Sequence, residues 1–114
     1  DAYNANPTSV SNAIESFSNI ENSKAIILGD MFELGINSHD EHKKIVELLS
    51  IKNIDSCYFI GEDFFKVKST NESFYFYRTK KEFYNSSDEI LESYVLIKGS
   101  RGMKMEEIIE NKIK

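Results

Sequence analysis

Residues 24–30, Lys24-Ala25-Ile26-Ile27-Leu28-Gly29-Asp30, form a short unbroken apolar run that ends in glycine. An apolar run without polar alternation predicts a strand buried on both faces, the pattern of a parallel sheet. The pattern returns at 56–61 (Ser-Cys-Tyr-Phe-Ile-Gly) and at 94–99 (Tyr-Val-Leu-Ile-Lys-Gly), and residues 73–77 (Ser-Phe-Tyr-Phe-Tyr) are aromatic and strand-like. Helical periodicity fills the gaps. Val10, Ala13, Ile14 and Phe17 fall on one helix face, as do His42, Ile45, Val46 and Leu49. Asn6-Pro7 supplies a helix start. Ser38 with Glu41, and Thr79 with Glu82, have capping-box spacing, the second pair leading into Phe83 and Tyr84 and on toward Ile90 and Leu91. The polar run 85–88 should interrupt that third helix. Phe64, Phe65 and Val67 suit a short helix in the ambiguous segment 62–70, and Met105, Ile108 and Ile109 mark a last helix running to the C-terminus. Alternating strands and helices predict an α/β domain, an open and mostly parallel sheet with helices on both faces.

The chain has 114 residues, enough for a single domain over 1–114 with one real core. Hydrophobic residues make up 40% and charged residues 29%, which excludes a disordered chain. A net charge of -5 argues against a partner such as duplex nucleic acid, which needs a basic footprint. No apolar run approaches the ~20 residues of a membrane span. The single Cys57 excludes an internal disulfide and fits a reducing compartment. The first residue is Asp1 rather than Met, and a dense polar motif follows at once, so the expectation is a piece of a longer protein.

In open parallel sheets, ligands bind beyond the carboxyl ends of the strands. Three strands here end in glycine, at Gly29-Asp30, Gly61-Glu62 and Gly99-Ser100, and these ends should cluster. Tight turning alone explains Gly61. Lys98-Gly99-Ser100-Arg101-Gly102 carries more: two glycines for close backbone approach and two cations suited to a carboxylate or phosphate. Solvated surface charges are the bland alternative. The opening Asp1-Ala2-Tyr3-Asn4-Ala5-Asn6-Pro7 packs an acid, a phenol and two amides before a helix start. Helix capping explains Asn6, whereas Asp1 and Tyr3 need another reason, such as ribose hydroxyls accepted by the acid. Gly29-Asp30-Met31-Phe32-Glu33-Leu34-Gly35 is followed by His39 and His42, but two histidines without a third firm ligand make a weak metal motif, so no metal site is expected. His42 and Cys57 read as core residues, and the aromatic run at 74–77 as packing rather than a base-stacking platform. There is no Gly-x-x-x-x-Gly-Lys-Ser/Thr loop and no Gly-x-Gly-x-x-Gly, so no residue in this chain alone is expected to be catalytic.

Taken together, Asp1-Ala2-Tyr3-Asn4-Ala5-Asn6-Pro7-Thr8-Ser9, Leu28-Gly29-Asp30-Met31-x-Glu33-Leu34-Gly35, Ser38-x-x-x-His42 and Lys98-Gly99-Ser100-Arg101-Gly102-Met103 resemble the C-terminal domain of the Mur ligase family. The branch resembled joins D-Ala-D-Ala to UDP-N-acetylmuramoyl-tripeptide in peptidoglycan synthesis. The resemblance covers nearly the whole chain, in order. It implies a Rossmann-like three-layer fold and a cytoplasmic three-domain enzyme, whose N-terminal and central ATPase domains lie outside this chain as its own partners. It implies ATP and Mg2+, bound mainly by that central domain, and an acyl-phosphate intermediate. By motif, Asp1 would hold the ribose hydroxyls, and Tyr3, Asn4 and Asn6 would lie at the nucleotide and domain-closure surface. Lys98, Ser100 and Arg101 would face the substrates. Asp30, Glu33 and His42 match family positions without an assigned role. The chain by itself is expected to fold but not to catalyse. Two other readings stay open: a sister ligase that adds a single amino acid or glutamate, and a stand-alone binding module of flavodoxin-like shape.

Overall fold

The computed structural model describes residues 5–112. Its elements follow the predicted alternation: α1 (Pro7–Ser18), β1 (Lys24–Gly29), α2 (Ser38–Ser50), β2 (Ser56–Ile60), α3 (Glu62–Phe65), β3 (Phe74–Tyr77), α4 (Lys80–Asn85), β4 (Tyr94–Lys98) and α5 (Glu107–Asn111). One-turn 3-10 helices at Gly35–Asn37 and Arg101–Met103 precede α2 and follow β4.

All strand pairs are parallel, in the order β3-β2-β1-β4. β1 is therefore central, and all six of its residues are buried. Even Lys24 is buried, because its ammonium donates to the carbonyls of Ile20 at 2.5 Å and Asn22 at 3.4 Å. β4 departs from the expectation of full burial. Tyr94 is exposed and the next four residues are only half-buried, because β4 pairs with β1 alone among the described residues.

Strand alternation divides the core in two. Ile26 and Leu28 of β1 and Cys57 and Phe59 of β2 face Val10, Ile14, Ile45, Val46, Leu49 and Phe64 from α1, α2 and α3. Ala25, Ile27, Tyr58, Ile60 and Tyr77 face Phe83 and Ile108 from α4 and α5. Chain direction explains this division. The connections through α2 and α3 step outward from β1 to β3. The one through α4 steps back across the sheet, and a fixed crossover hand then puts it on the other face.

Three local expectations meet different outcomes. Asn6 caps α1 as expected: its side chain accepts from the Ser9 N–H at 2.9 Å, and Ser9 Oγ accepts from the Asn6 N–H at 3.1 Å. Thr79 caps α4, accepting from the Glu82 N–H at 3.1 Å, while Glu82 accepts from the Arg78 N–H instead of closing the box. The Ser38–Glu41 box does not form. Asn37 is already helical (φ -85°, ψ -5°), so Gly35–Asn37 runs straight into α2 and leaves no extended cap residue. The third helix ends at Asn85, as the polar run 85–88 suggested. Ile90 packs on the α4 face outside any helix, and Leu91 is exposed.

Candidate functional site

The carboxyl ends of the strands are stitched together by backbone hydrogen bonds. The Asp30 N–H donates to the Ile60 carbonyl at 3.1 Å, and the Ser100 N–H to the Asp30 carbonyl at 3.1 Å. β4 ends so close to β1 that a Cβ on Gly99 would sit 3.2 Å from Gly29 Cα. Chain order reverses here, with β1 and β2 on one side and β4 on the other. This topological switch point is where open parallel sheets leave a ligand crevice.

Asp30 is buried at this point, but it does not face solvent as a ligand. Its two carboxylate oxygens accept from the N–H groups of Asp63 and Phe64, each at 3.0 Å, so it caps α3 across the sheet. Burial pushes its carboxyl above the ordinary range, and these two hydrogen bonds pull the other way. Gly61 makes the arrangement possible. Its φ of +131° suits glycine, and any Cβ there would collide with the Asp30 carboxylate.

His42 lies next to it, fully buried. Its Nε2 accepts from the Met31 N–H at 3.0 Å, and its Nδ1–H donates to the Ser38 carbonyl at 2.7 Å. Those two bonds define one neutral tautomer and tie the loop after β1 to α2. The ligating atoms of Asp30, His42 and Asp63 lie within 4.8 Å of one another. They do not fit a magnesium site. The single lone pair of Nε2 is taken, both Asp30 oxygens cap α3, and Mg2+ prefers an octahedron of oxygens.

Above these supports opens a cleft of about 420 Å³, lined by Asn6, Phe32, Glu33, Ser100, Arg101 and Gly102 among others. Ser100 is buried beneath its surface. Its hydroxyl accepts from the Phe32 N–H at 2.6 Å and donates to the Ala5 carbonyl at 3.5 Å, joining three segments. Glu33 is exposed in the left-handed region (φ 64°), so the loop from Met31 to Gly35 turns sharply outward. Asn6 and Arg101 stand exposed at the rim.

Four of the sequence-derived candidates thus meet at one cleft: Asn6, Glu33, Ser100 and Arg101. Asp30 and His42 underlie it. Lys98, half-buried at the end of β4 opposite Leu28, does not line it. Asp1, Tyr3 and Asn4 lie outside the described residues.

A second cleft, of about 330 Å³, opens on the α4 side of the same edge, between Phe32, Gly61, Glu62, Arg78, Lys80 and Met103. Phe32 and Gly102 line both clefts. Sequence reasoning passed over Phe32 and Arg78. A large apolar residue between Met31 and Glu33 was a usable signal. Arg78 follows the one strand without a terminal glycine, so the glycine pattern drew attention elsewhere. A further hollow of about 570 Å³ lies by the loop after α4 beside Ser86, Asp88 and Lys112, toward the amino ends of the strands and away from these groups.

The family model of the Mur ligase, glutamate ligase domain, matches residues 1–101. The chain belongs to the Mur ligase family. Its relatives include the UDP-N-acetylmuramoyl-tripeptide–D-alanyl-D-alanine ligase of Bacillus subtilis, 32% identical over 99% of this chain and 27% of that protein. The enzyme of the same name from Buchnera aphidicola (subsp. Baizongia pistaciae) is also 32% identical, over 100% of this chain and 26% of that protein. Among solved structures, a MurF crystal structure from Acinetobacter baumannii superposes with a TM-score of 0.80 at 25% identity, over 95% of this chain and 25% of that chain. The MurF ligase of Thermotoga maritima, solved with ADP, shares the fold with a TM-score of 0.74 at 24% identity, over 95% of this chain and 26% of that chain. This Mur ligase chain spans about a quarter of the length of the curated relatives it matches. Among the described residues no helix is long and apolar enough to cross a membrane.

Proposed function

We propose that this chain is the C-terminal, nucleotide- and substrate-closing domain of a ligase that adds D-Ala-D-Ala to UDP-N-acetylmuramoyl-tripeptide. One observation carries the reading: the family motifs at residues 6, 33 and 100–101, far apart in sequence, line a single cleft at the switch point. The likeness to the named D-alanyl-D-alanine ligases along nearly the whole chain supports the choice of branch.

In this reading ATP phosphorylates the terminal carboxylate of the tripeptide, giving an acyl phosphate and ADP. The dipeptide amine attacks the acyl carbon, and phosphate leaves the tetrahedral intermediate as the amide forms. The domain orients the reactants and excludes water. Asp1 holds the ribose hydroxyls, while Tyr3, Asn4 and Asn6 form the nucleotide and closure surface. Arg101 supplies positive charge toward the substrates, and Ser100 positions the Phe32 loop. Asp30 and His42 hold that loop and α3 rigid. Magnesium, the metal such a reaction uses, finds no fitting donor set among the described residues. The partners are the enzyme's own N-terminal and central domains, and the compartment is the cytoplasm.

The test is phosphate release by the intact parent protein with ATP, magnesium and the UDP-muramoyl-tripeptide, comparing D-Ala-D-Ala with single amino acids. Release that depends on the dipeptide supports the reading. Release with a single amino acid keeps the family but overturns the branch. No release with any amine, from folded protein, favours a binding module.

A further inference from the structure

We infer that His42 is a positioning residue of the ligase reaction, acting through the Met31 N–H to hold residues 32–34 in the shape that lines the cleft at Asn6. The inference deepens the ligase reading above and rests on it. Phe32, Glu33 and Leu34 follow Met31 directly, and all three line that cleft. Their backbone is not relaxed. Glu33 sits at φ 64° and Gly35 at φ 59°, so two left-handed residues turn the loop within three positions. Glycine adopts this region freely, whereas a glutamate stays there only where its surroundings hold it.

Two side chains hold the start of the loop. Ser100 Oγ accepts from the Phe32 N–H at 2.6 Å, and His42 Nε2 accepts from the Met31 N–H at 3.0 Å. Ser100 belongs to the cleft edge itself, while His42 reaches the loop from α2 and is wholly buried. The imidazole is set from its other side as well. Its Nδ1–H donates to the Ser38 carbonyl at 2.7 Å, and its ring meets the Phe64 ring edge-on, the centroids 4.6 Å apart. An Asp30 carboxylate oxygen approaches Nε2 only to 3.9 Å, too far for a hydrogen bond, so the lone pair serves Met31. Burial alone gives no reason for an imidazole here, because a leucine would fill the same place in the core. The Met31 N–H gives one. Met31 is 1% exposed, and a buried N–H without an acceptor would draw the loop out of its shape.

The experiment measures phosphate release by the intact ligase for the parent, His42→Leu and His42→Gln, with amide hydrogen exchange over residues 31–35 in each. Leucine fills the site without an acceptor, and the glutamine side-chain oxygen stands in for Nε2. His42→Leu should lower kcat about 10- to 100-fold, the scale of misplaced reacting groups, with the KM for ATP and for the dipeptide each within about threefold. Met31 and Phe32 should lose exchange protection in the same variant. His42→Gln should recover most of the kcat and of the protection. Where His42→Leu does not fold, His42→Asn, too short to reach Met31, takes its place with the same expectation. A lower Tm with kcat unchanged makes His42 a plain core residue and overturns the inference. A His42→Gln variant no better than the one without an acceptor overturns it too. A parent that releases no phosphate with any amine overturns the ligase reading itself, and this inference with it. If the parent uses a single amino acid, only the branch fails, and the same comparison with that amine decides the role of His42.

Discussion

Asp30 and His42 carry the family motif, yet each spends its polar atoms inside the domain. Asp30 holds the start of α3, and His42 holds the Met31 N–H. Their role is support, and it has a pH signature. Burial raises the Asp30 carboxyl above its ordinary 3.8. A group whose folded pKa is raised contributes stability that is fully present below the unfolded value and lost as pH rises through the folded value. Asp30→Asn does not titrate, and it loses one of the two acceptors, a constant cost of about 1–3 kcal/mol. The stability gap between the parent domain and Asp30→Asn should therefore narrow as pH rises above the ordinary 3.8. Urea unfolding at several pH values measures it, and a gap that widens with pH sinks this account.

α3 is only four residues long, too short to hold itself together without tertiary contacts. Its start is secured by the Asp30 carboxylate, and Phe64 anchors it by burial against Phe59 and His42. Gly61 is the joint between this element and β2. Gly61→Ala forces a residue with a Cβ into φ near +131° and drives that Cβ into the Asp30 carboxylate. The expected loss is about 2–4 kcal/mol, from backbone strain plus the lost cap. Thermal unfolding should show it as a lower Tm. Hydrogen exchange should show first loss of protection at Asp63 and Phe64. An unchanged Tm contradicts the joint role.

At the scale of the whole molecule, the fold brings two clefts to one edge with Phe32 between them. The cleft at Asn6 has Arg101 on its rim, and the α4-side cleft has Arg78. In the proposed function Arg101 faces the substrates, so Arg101→Ala in the intact ligase should raise the KM for the dipeptide more than the KM for ATP. The expected change is about tenfold, the scale of one charge-assisted hydrogen bond. Steady-state kinetics with each substrate varied in turn decides it. Equal rises in both constants would remove Arg101 from the substrate side.

The sequence by itself determined the elements and their faces. Apolar runs at 24–29, 56–60 and 74–77 and the spacing of Val10, Ile14, Ile45, Val46 and Leu49 encode which atoms leave water, and burial is a local, periodic signal. Asn6 and Thr79 were legible as caps for the same reason, since a cap is a contact three residues long. Ser38 was not, because the helical state of Asn37 depends on the loop before it. Only the tertiary structure decided the strand order, the half-buried state of β4 and the meeting of Asn6, Glu33, Ser100 and Arg101. It also decided that Ser100 and Asp30 turn inward, and that Phe32 and Arg78 share a cleft. Those facts depend on which strand ends lie side by side. That is set by crossover direction and register across tens of residues, which no local pattern records.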